Sequence, residues 1–341
     1  MLDEKSFVDR KDKLCGMLAG LAIGDALGMP VEFKTRGRFE EVVGYREGGP
    51  FNLPAGYWTD DTSMALCLAD SIIEKGGYDS FDVMDKYTAW VSKGYRSSTG
   101  KCFDVGNQVS KAISRYKQNP IVSSDEKYIE AAGNGCIMRL APVVIAAIVS
   151  GKNIYSNERY CMISARETHL SHVAEQATAL FGAFLYIAAT EPEAKQKIIN
   201  LIDNTLQNNK IIESWKNVLG KNIEDIKPTG YVVDTIEAAL WAFLTTETFE
   251  QAVLKAVNLG GDADTIGAVC GQLAGAFYGL SGIPKKLVDG LFEHEEIDRI
   301  SEKLLNIRDF SFIRSRFEID KSGPGYSDER AEEFEKMNSI I

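Results

Sequence analysis

Two ladders of glycine constrain this chain more than any other feature. Gly16, Gly20, Gly24 and Gly28 recur at every fourth residue, and so do Gly267, Gly271, Gly275 and Gly279. A spacing of four stacks positions on one helix face, yet each glycine inside a helix gives up about 1 kcal/mol against alanine. A helix carries four of them on one face when its neighbour comes closer than a Cβ would permit. The ladders therefore predict two buried helices whose bare faces admit another backbone. A membrane span is the competing reading, because Ile266 to Ile283 is a largely apolar run with GxxxG-like spacing. Gln272, Ser281 and the aspartates ahead of the run oppose it, and Asp25 interrupts the first ladder.

Helical periodicity continues beyond the ladders. Leu14, Met17, Leu18 and Leu21 form a stripe, and similar stripes cover 62–75, 81–92, 105–117, 137–149, 173–189, 234–244 and 249–258. Strand alternation is scarce, and no break is long or biased enough to be a domain linker. The expectation is a single compact, orthogonal multi-helix all-α domain over 1–320, with about ten or more helices. A charged, flexible tail should follow over 321–341. A net charge of −11 opposes a nucleic-acid partner. Six scattered cysteines without CxxC spacing, and a charged N-terminus without an apolar core, predict a reduced cytoplasmic protein. We expect a monomer that binds no membrane.

The chemistry concentrates in two short segments. Gly260-Gly261-Asp262-Ala263-Asp264-Thr265 opens the second ladder, and Trp58-Thr59-Asp60-Asp61-Thr62-Ser63 opens another apolar helix 200 residues upstream. Two carboxylates about 4 Å apart repel by roughly 4 kcal/mol at an effective dielectric near 20. A helix N-terminus returns only about 0.3–1 kcal/mol per acid. Capping explains one acid or hydroxyl at such a place, but not two acids with flanking threonines, twice. The offered ligands are all oxygen, with no histidine or cysteine beside them, so the fitting ion is a hard divalent cation, Mg2+ or Mn2+ rather than zinc. Two clusters suggest two ions forming one binuclear site in a central cleft. Two rival motifs fit poorly. The DxDx(T/V) nucleophile of haloacid-dehalogenase-type phosphatases follows a strand, whereas Leu259-Gly260-Gly261 stands here. The DDxxD of isoprenoid synthases needs an aspartate where Met64 lies.

With these segments in place, the chain resembles the ADP-ribosylglycohydrolase family. The likeness runs from about 12 to 283 through GMLAGLAIGDALGMPVEF (16–33), YWTDDTSMAL (57–66), GNGCIMRLAPV (133–143), ETHLSHVAEQATALFGAFLYIAA (167–189), GYVVDTIEAALWAF (230–243) and AVNLGGDADTIGAVCGQLAGAFYG (256–279). The resemblance implies an all-α hydrolase with a binuclear Mg2+ or Mn2+ centre. It would remove ADP-ribose from modified protein side chains, or from a small molecule, by cleaving the bond at C1″ of the distal ribose.

Carried over by motif, the metal ligands would be Thr59, Asp60, Asp61, Asp262, Asp264 and Thr265. Glu32, Asp61 and Asp262 would share the catalysis, with Glu32 able to act as general acid or base. Without the resemblance, Glu32 reads as a surface acid after Pro30. The 133–143 segment would line the substrate cleft, with Asn134 and Gly135 at the ribose and phosphates and Arg139 nearby. A glycine turn opening a helix there would offer backbone N–H groups to an anion. Ser98, Thr99 and Gly100, in a Ser/Thr/Gly-rich loop, would hold the pyrophosphate, although a solvated loop is the plain alternative. His169 would stand at the cleft. Where relatives carry an adenine-stacking residue, Ala131 and Ala132 stand here. A catalytically silent ADP-ribose-binding or crystallin-like relative is the alternative reading, opposed by the full set of metal ligands.

Overall fold

The computed structural model describes residues 4–123, 132–206 and 209–317. The expected tail at 321–341 lies outside the described residues, as does Ala131. Among the described residues are thirteen α-helices. They are α1 (Glu4–Gly28), α2 (Asp60–Lys75), α3 (Ser80–Lys93), α4 (Asn107–Gln118), α5 (Ala141–Val149), α6 (Ile154–Arg166), α7 (His172–Thr190), α8 (Ala194–Leu206), α9 (Val232–Leu244), α10 (Phe249–Val257), α11 (Ala263–Tyr278), α12 (Lys285–Asp289) and α13 (His294–Leu304). One short parallel pairing joins β1 (Tyr78–Asp79) to β2 (Phe312–Arg314). The domain is single and mostly helical, as its periodicity predicts.

The two glycine ladders pack on each other, antiparallel and in register. A Cβ built on Gly20 would lie 2.2 Å from the Gly271 carbonyl oxygen, and one on Gly24 would lie 2.0 Å from that of Gly267. Gly16 meets Gly275 and Gly28 meets Ala263 in the same way. Backbone against backbone along four turns makes α1 and α11 the axis of the core, where Leu21, Ala22, Ile266 and Val269 are fully buried. By length and composition Val8–Val31 and His172–Thr190 would each suffice to cross a membrane, but their apolar windows are 100% and 67% buried inside the fold. These are core helices.

The remaining helices wrap this axis. Asp79 caps α3 by accepting from the Phe81 and Asp82 amides, and its other oxygen accepts from Arg314 Nε at 2.8 Å. Arg316, on the same C-terminal segment, donates to the fully buried Glu167 at 2.6 Å. These two ion pairs bind the end of the described chain to α3 and to the turn after α6.

The helix expected over 137–149 begins only at Ala141, and residues 135–139 form turns. Pro142 explains the late start, since a ring without an N–H suits the first turn of a helix and opposes its continuation upstream. Helices α6, α8, α12 and α13 lie outside the stripes read from the sequence, although α13 is strongly one-sided and buries Ile297, Ile300 and Leu304. The six cysteines are all free thiols; five are buried and Cys102 is partly exposed.

Candidate metal centre and cleft

The antiparallel register fixes where the chemistry falls. Gly28 at the end of α1 lies against Ala263 at the start of α11, so the acidic opening of α11 sits beside the last turns of α1. Asp25, on α1 and fully buried, reaches across to α2. Its carboxylate accepts from the Thr59 amide at 2.9 Å, the Thr59 hydroxyl at 2.9 Å, the Thr62 amide at 3.0 Å and the Thr62 hydroxyl at 2.6 Å. Thr59 occupies the N-cap position of α2, yet its side chain makes no cap hydrogen bond. Asp25 does the capping from another helix.

Capping was the plain explanation for both acidic segments, and the geometry replaces it. Asp262 is the N-cap residue of α11 and likewise makes no side-chain cap. A hydroxyl has one proton, and that of Thr59 is directed to Asp25. Its oxygen then stands 3.4 Å from Asp61 Oδ2 and 3.4 Å from Asp264 Oδ2, and Thr265 Oγ1 stands 3.4 Å from the same Asp61 oxygen. The two segments thus converge from opposite ends of the chain into one cluster of oxygens.

The cluster borders a cleft of about 460 Å3 lined by Glu32, Asp60, Asp104, Asp262, Asp264 and Thr265 on the acidic side, while Thr59 and Asp61, also expected as metal ligands, are fully buried and outside that lining. Phe33, Gly106, Asn107, Gln108, Val109, Gly133, Asn134, Gly135, Met138, His169 and Gly230 complete its walls. Five carboxylates line it, and no lysine or arginine is among the lining residues. Burial and mutual repulsion raise Asp60, Asp61 and Asp264 well above the usual carboxylate range. Burial, with Asp104 and Asp262 nearby, pushes Glu32 up to about 9, and burial with Asp25 and Asp262 pushes Asp104 up to about 7.

Two observations test whether a metal fits. Glu32 Oε2 and Asp61 Oδ1 are buried without a hydrogen-bond partner, which is costly for a carboxylate. Glu32, Asp104 and Asp264 each place an oxygen within 4.8 Å of the others. Unpartnered hard oxygens, converging and uncompensated, fit a divalent cation of the magnesium or manganese type. The cluster can hold a metal.

Of the other residues singled out in the sequence, Asn134, Gly135 and His169 line the cleft. The Asn134 amide donates to Asp262 Oδ2 at 2.5 Å and to Thr235 Oγ1 at 3.0 Å, joining the cleft wall to the metal cluster. His169 is buried and neutral, held down at about 3 by burial and by Arg139, with Nδ1 2.8 Å from the Thr168 hydroxyl.

Arg139 stands outside the lining. Its guanidinium is fully buried behind the wall, donating to Gly135 O at 2.9 Å, Ser164 O at 3.2 Å and Thr168 Oγ1 at 2.7 Å. Ser98, Thr99 and Gly100 are not in the lining either. The Ser98 hydroxyl donates to Trp58 O at 2.6 Å, and Thr99 is engaged with Lys101 inside its own turn. That loop braces the segment leading into Thr59 from behind. Nor does the Gly133-Asn134-Gly135 turn open a helix. The Gly133 amide donates to Gln108 Oε1 and the Asn134 amide to Gly230 O, so those N–H groups are already used.

Sequence reasoning missed Asp25, Asp104 and Gln108. Asp25 left a signal, an acid inside a buried glycine ladder. Asp104 left none, lying in a short connection ahead of α4, where its positive φ of 55° turns it toward the cluster.

Comparison with known proteins places the whole chain. The family model described as ADP-ribosylglycohydrolase matches residues 7–311. The ADP-ribosylarginine hydrolase Tri1 of Serratia proteamaculans is 37% identical over 297 residues, covering 86% of this chain and 79% of its own. The ADP-ribosyl-(dinitrogen reductase) glycohydrolase of Rhodospirillum rubrum is 32% identical over 282 residues, covering 80% and 88%. A solved structure titled as an ADP-ribosylglycohydrolase-related protein complex superposes with a TM-score of 0.72 at 36% identity, covering 88% of this chain and 99% of that one. This chain belongs to the ADP-ribosylglycohydrolase family.

Proposed function

We propose that this protein is a divalent-metal-dependent hydrolase that removes ADP-ribose from modified arginine side chains of proteins. The observation that carries the reading is the convergence of Thr59, Asp61, Asp264 and Thr265 oxygens within 3.4 Å contacts, with neither N-cap side chain used for capping, beside a cleft whose lining has no lysine or arginine. The arginine linkage is taken from relatives named as ADP-ribosylarginine hydrolases at 37% identity. The six free thiols support a reducing, cytoplasmic setting.

Thr59, Asp60, Asp61, Asp262, Asp264 and Thr265 would hold two cations, with Glu32 and Asp104 at their edge. Such ions supply Lewis acidity for diol oxygens and lower the pKa of water. The chain's own residues do the rest. Asn134 fixes Asp262, and the neutral His169 and the glycines at 133 and 135 form a wall close enough for a ribose–phosphate backbone to lie against. A Cβ on Gly135 would come within 3.1 Å of the His169 ring, so a larger residue there would press on that ring. Glu32, with one oxygen unpartnered, can carry a proton to or from the bond at C1″. The five carboxylates favour the positive charge that develops on the ribose as that bond breaks.

The test is release of ADP-ribose from an arginine-modified protein with Mg2+ or Mn2+, beside serine-linked and acidic-residue-linked conjugates. Asp61→Ala and Asp262→Asn should lose metal binding and turnover together. No release from any conjugate by the folded, metal-loaded wild type overturns the proposal.

A further inference from the structure

Among the exposed large hydrophobic side chains of the described residues, Phe33 alone lines the cleft, and its ring is 68% exposed. It follows Glu32 directly. Its backbone has a φ of 60°, the left-handed region that a bulky residue seldom adopts. That turn buries Glu32 and turns Phe33 outward.

The surroundings hold this lip rigidly. The Phe33 amide donates to Gly261 O at 2.6 Å, and the Gly261 amide returns to Lys34 O at 2.9 Å. Arg36 donates to Leu259 O at 3.3 Å and Ile226 O at 2.6 Å, and also reaches Ile223 O. The lip is therefore clamped to the turn that leads into Asp262 and Asp264. An exposed aromatic residue fixed in a strained conformation on the wall of an acidic cleft is built to meet something that enters it.

Chemistry selects the visitor. Successive Cα atoms lie about 3.8 Å apart, so Phe33 stands next to the residue proposed to act at C1″. Both residues line the same cleft, Glu32 buried and Phe33 exposed, so a group that extends from C1″ beside Glu32 toward solvent has the Phe33 ring on its wall. The negative face of a phenyl ring and the surrounding acidic field both favour a planar cation. Guanidinium is planar, cationic and weakly hydrated, and it stacks well. A serine oxygen or an ester offers none of this.

We infer that Phe33 is a specificity-determining residue whose ring stacks on the guanidinium of an arginine-linked substrate. This rests on the functional reading above and names the residue that selects the linkage. Because the ring is pre-positioned, little ordering is lost when it binds.

The test compares wild type, Phe33→Ala and Phe33→Trp, each loaded with Mg2+ or Mn2+, on free ADP-ribosylarginine as substrate and free ADP-ribose as ligand. Phe33→Ala should raise KM for ADP-ribosylarginine about 3- to 30-fold, with a smaller change in kcat. Phe33→Trp should restore it. Affinity for ADP-ribose, which lacks the guanidinium, should stay within about twofold in both variants. An unchanged KM, or a parallel loss of ADP-ribose affinity that would place the ring on the adenine, overturns the inference while the hydrolase reading stands. If the wild type leaves ADP-ribosylarginine intact yet hydrolyses another linkage, the arginine reading and this inference fail together.

Discussion

Asp25 accepts both the amide and the hydroxyl of Thr59, each at 2.9 Å, and so caps α2 from a different helix. The Thr59 side chain is thereby released from capping, and its oxygen and that of Asp61 approach Asp264 and Thr265 of α11. Asp25→Asn keeps the shape but sets an amide N–H2 against donors it cannot accept from. We expect affinity for Mn2+ or Mg2+ to fall about 10- to 100-fold, the usual effect of removing a group that orients a ligand. Calorimetric titration checks this, and an unchanged affinity would show that Thr59 needs no such support.

Removing divalent cations should destabilise the protein most at high pH. Glu32 is raised to about 9 and Asp104 to about 7. Without metal, the folded chain therefore holds protons that the unfolded chain has already released. Stability of the metal-free protein falls as pH rises from about 5 through 9. Bound cations replace those protons, so the gain in Tm on adding metal grows across the same window. At a hundred times Kd the gain is about 2.7 kcal/mol, roughly 4 °C for a domain of this size.

At the acid end the sign reverses. His169 is lowered from 6.5 to about 3, so the unfolded chain takes up a proton that the fold refuses. Its contribution is complete above about pH 6.5 and is lost as pH falls toward 3. Scanning calorimetry with and without EDTA at pH 5, 7 and 8.5 covers both limbs; a Tm gain from metal that does not vary with pH would contradict the first.

A Cβ on Gly271 would stand 1.9 Å from the Gly20 carbonyl oxygen, which belongs to the backbone and cannot swing aside. Gly271→Val recovers part of the helix-propensity penalty of glycine, under about 1 kcal/mol. It should nevertheless destabilise the fold by about 3 kcal/mol or more, because α1 and α11 must separate. Gly220, with open space where a Cβ would go, should accept alanine within about 0.5 kcal/mol. Denaturant unfolding of both variants decides it.

Arg139 serves as a strut behind the cleft wall. Its guanidinium holds Gly135, Ser164 and Thr168 and lies 4.8 Å over the Tyr87 ring. Lysine cannot reproduce that fork, so Arg139→Lys should cost roughly 3 kcal/mol of stability. Substrate KM should rise with it, since Gly135 lines the cleft and Thr168 holds the lining His169. A variant as stable as wild type would remove the strut role.

The sequence on its own determined the helical class, the two bare helix faces and the two acidic segments, because each is a local pattern of spacing and residue type. Glycine every fourth residue calls for a close neighbour, and paired aspartates beside threonines exceed what capping needs and point to a hard cation. Tertiary structure decided which neighbour and which partners. The ladders face each other antiparallel, and that single register brings Asp25 to Thr59 and the start of α11 to the start of α2. It also separated residues that sequence had grouped. Arg139 lies behind the wall, held by Gly135, Ser164 and Thr168, and Ser98 is turned away to brace Trp58. Asp104 and Phe33 became visible only in three dimensions, since both owe their aim to a positive φ that their residue types do not announce.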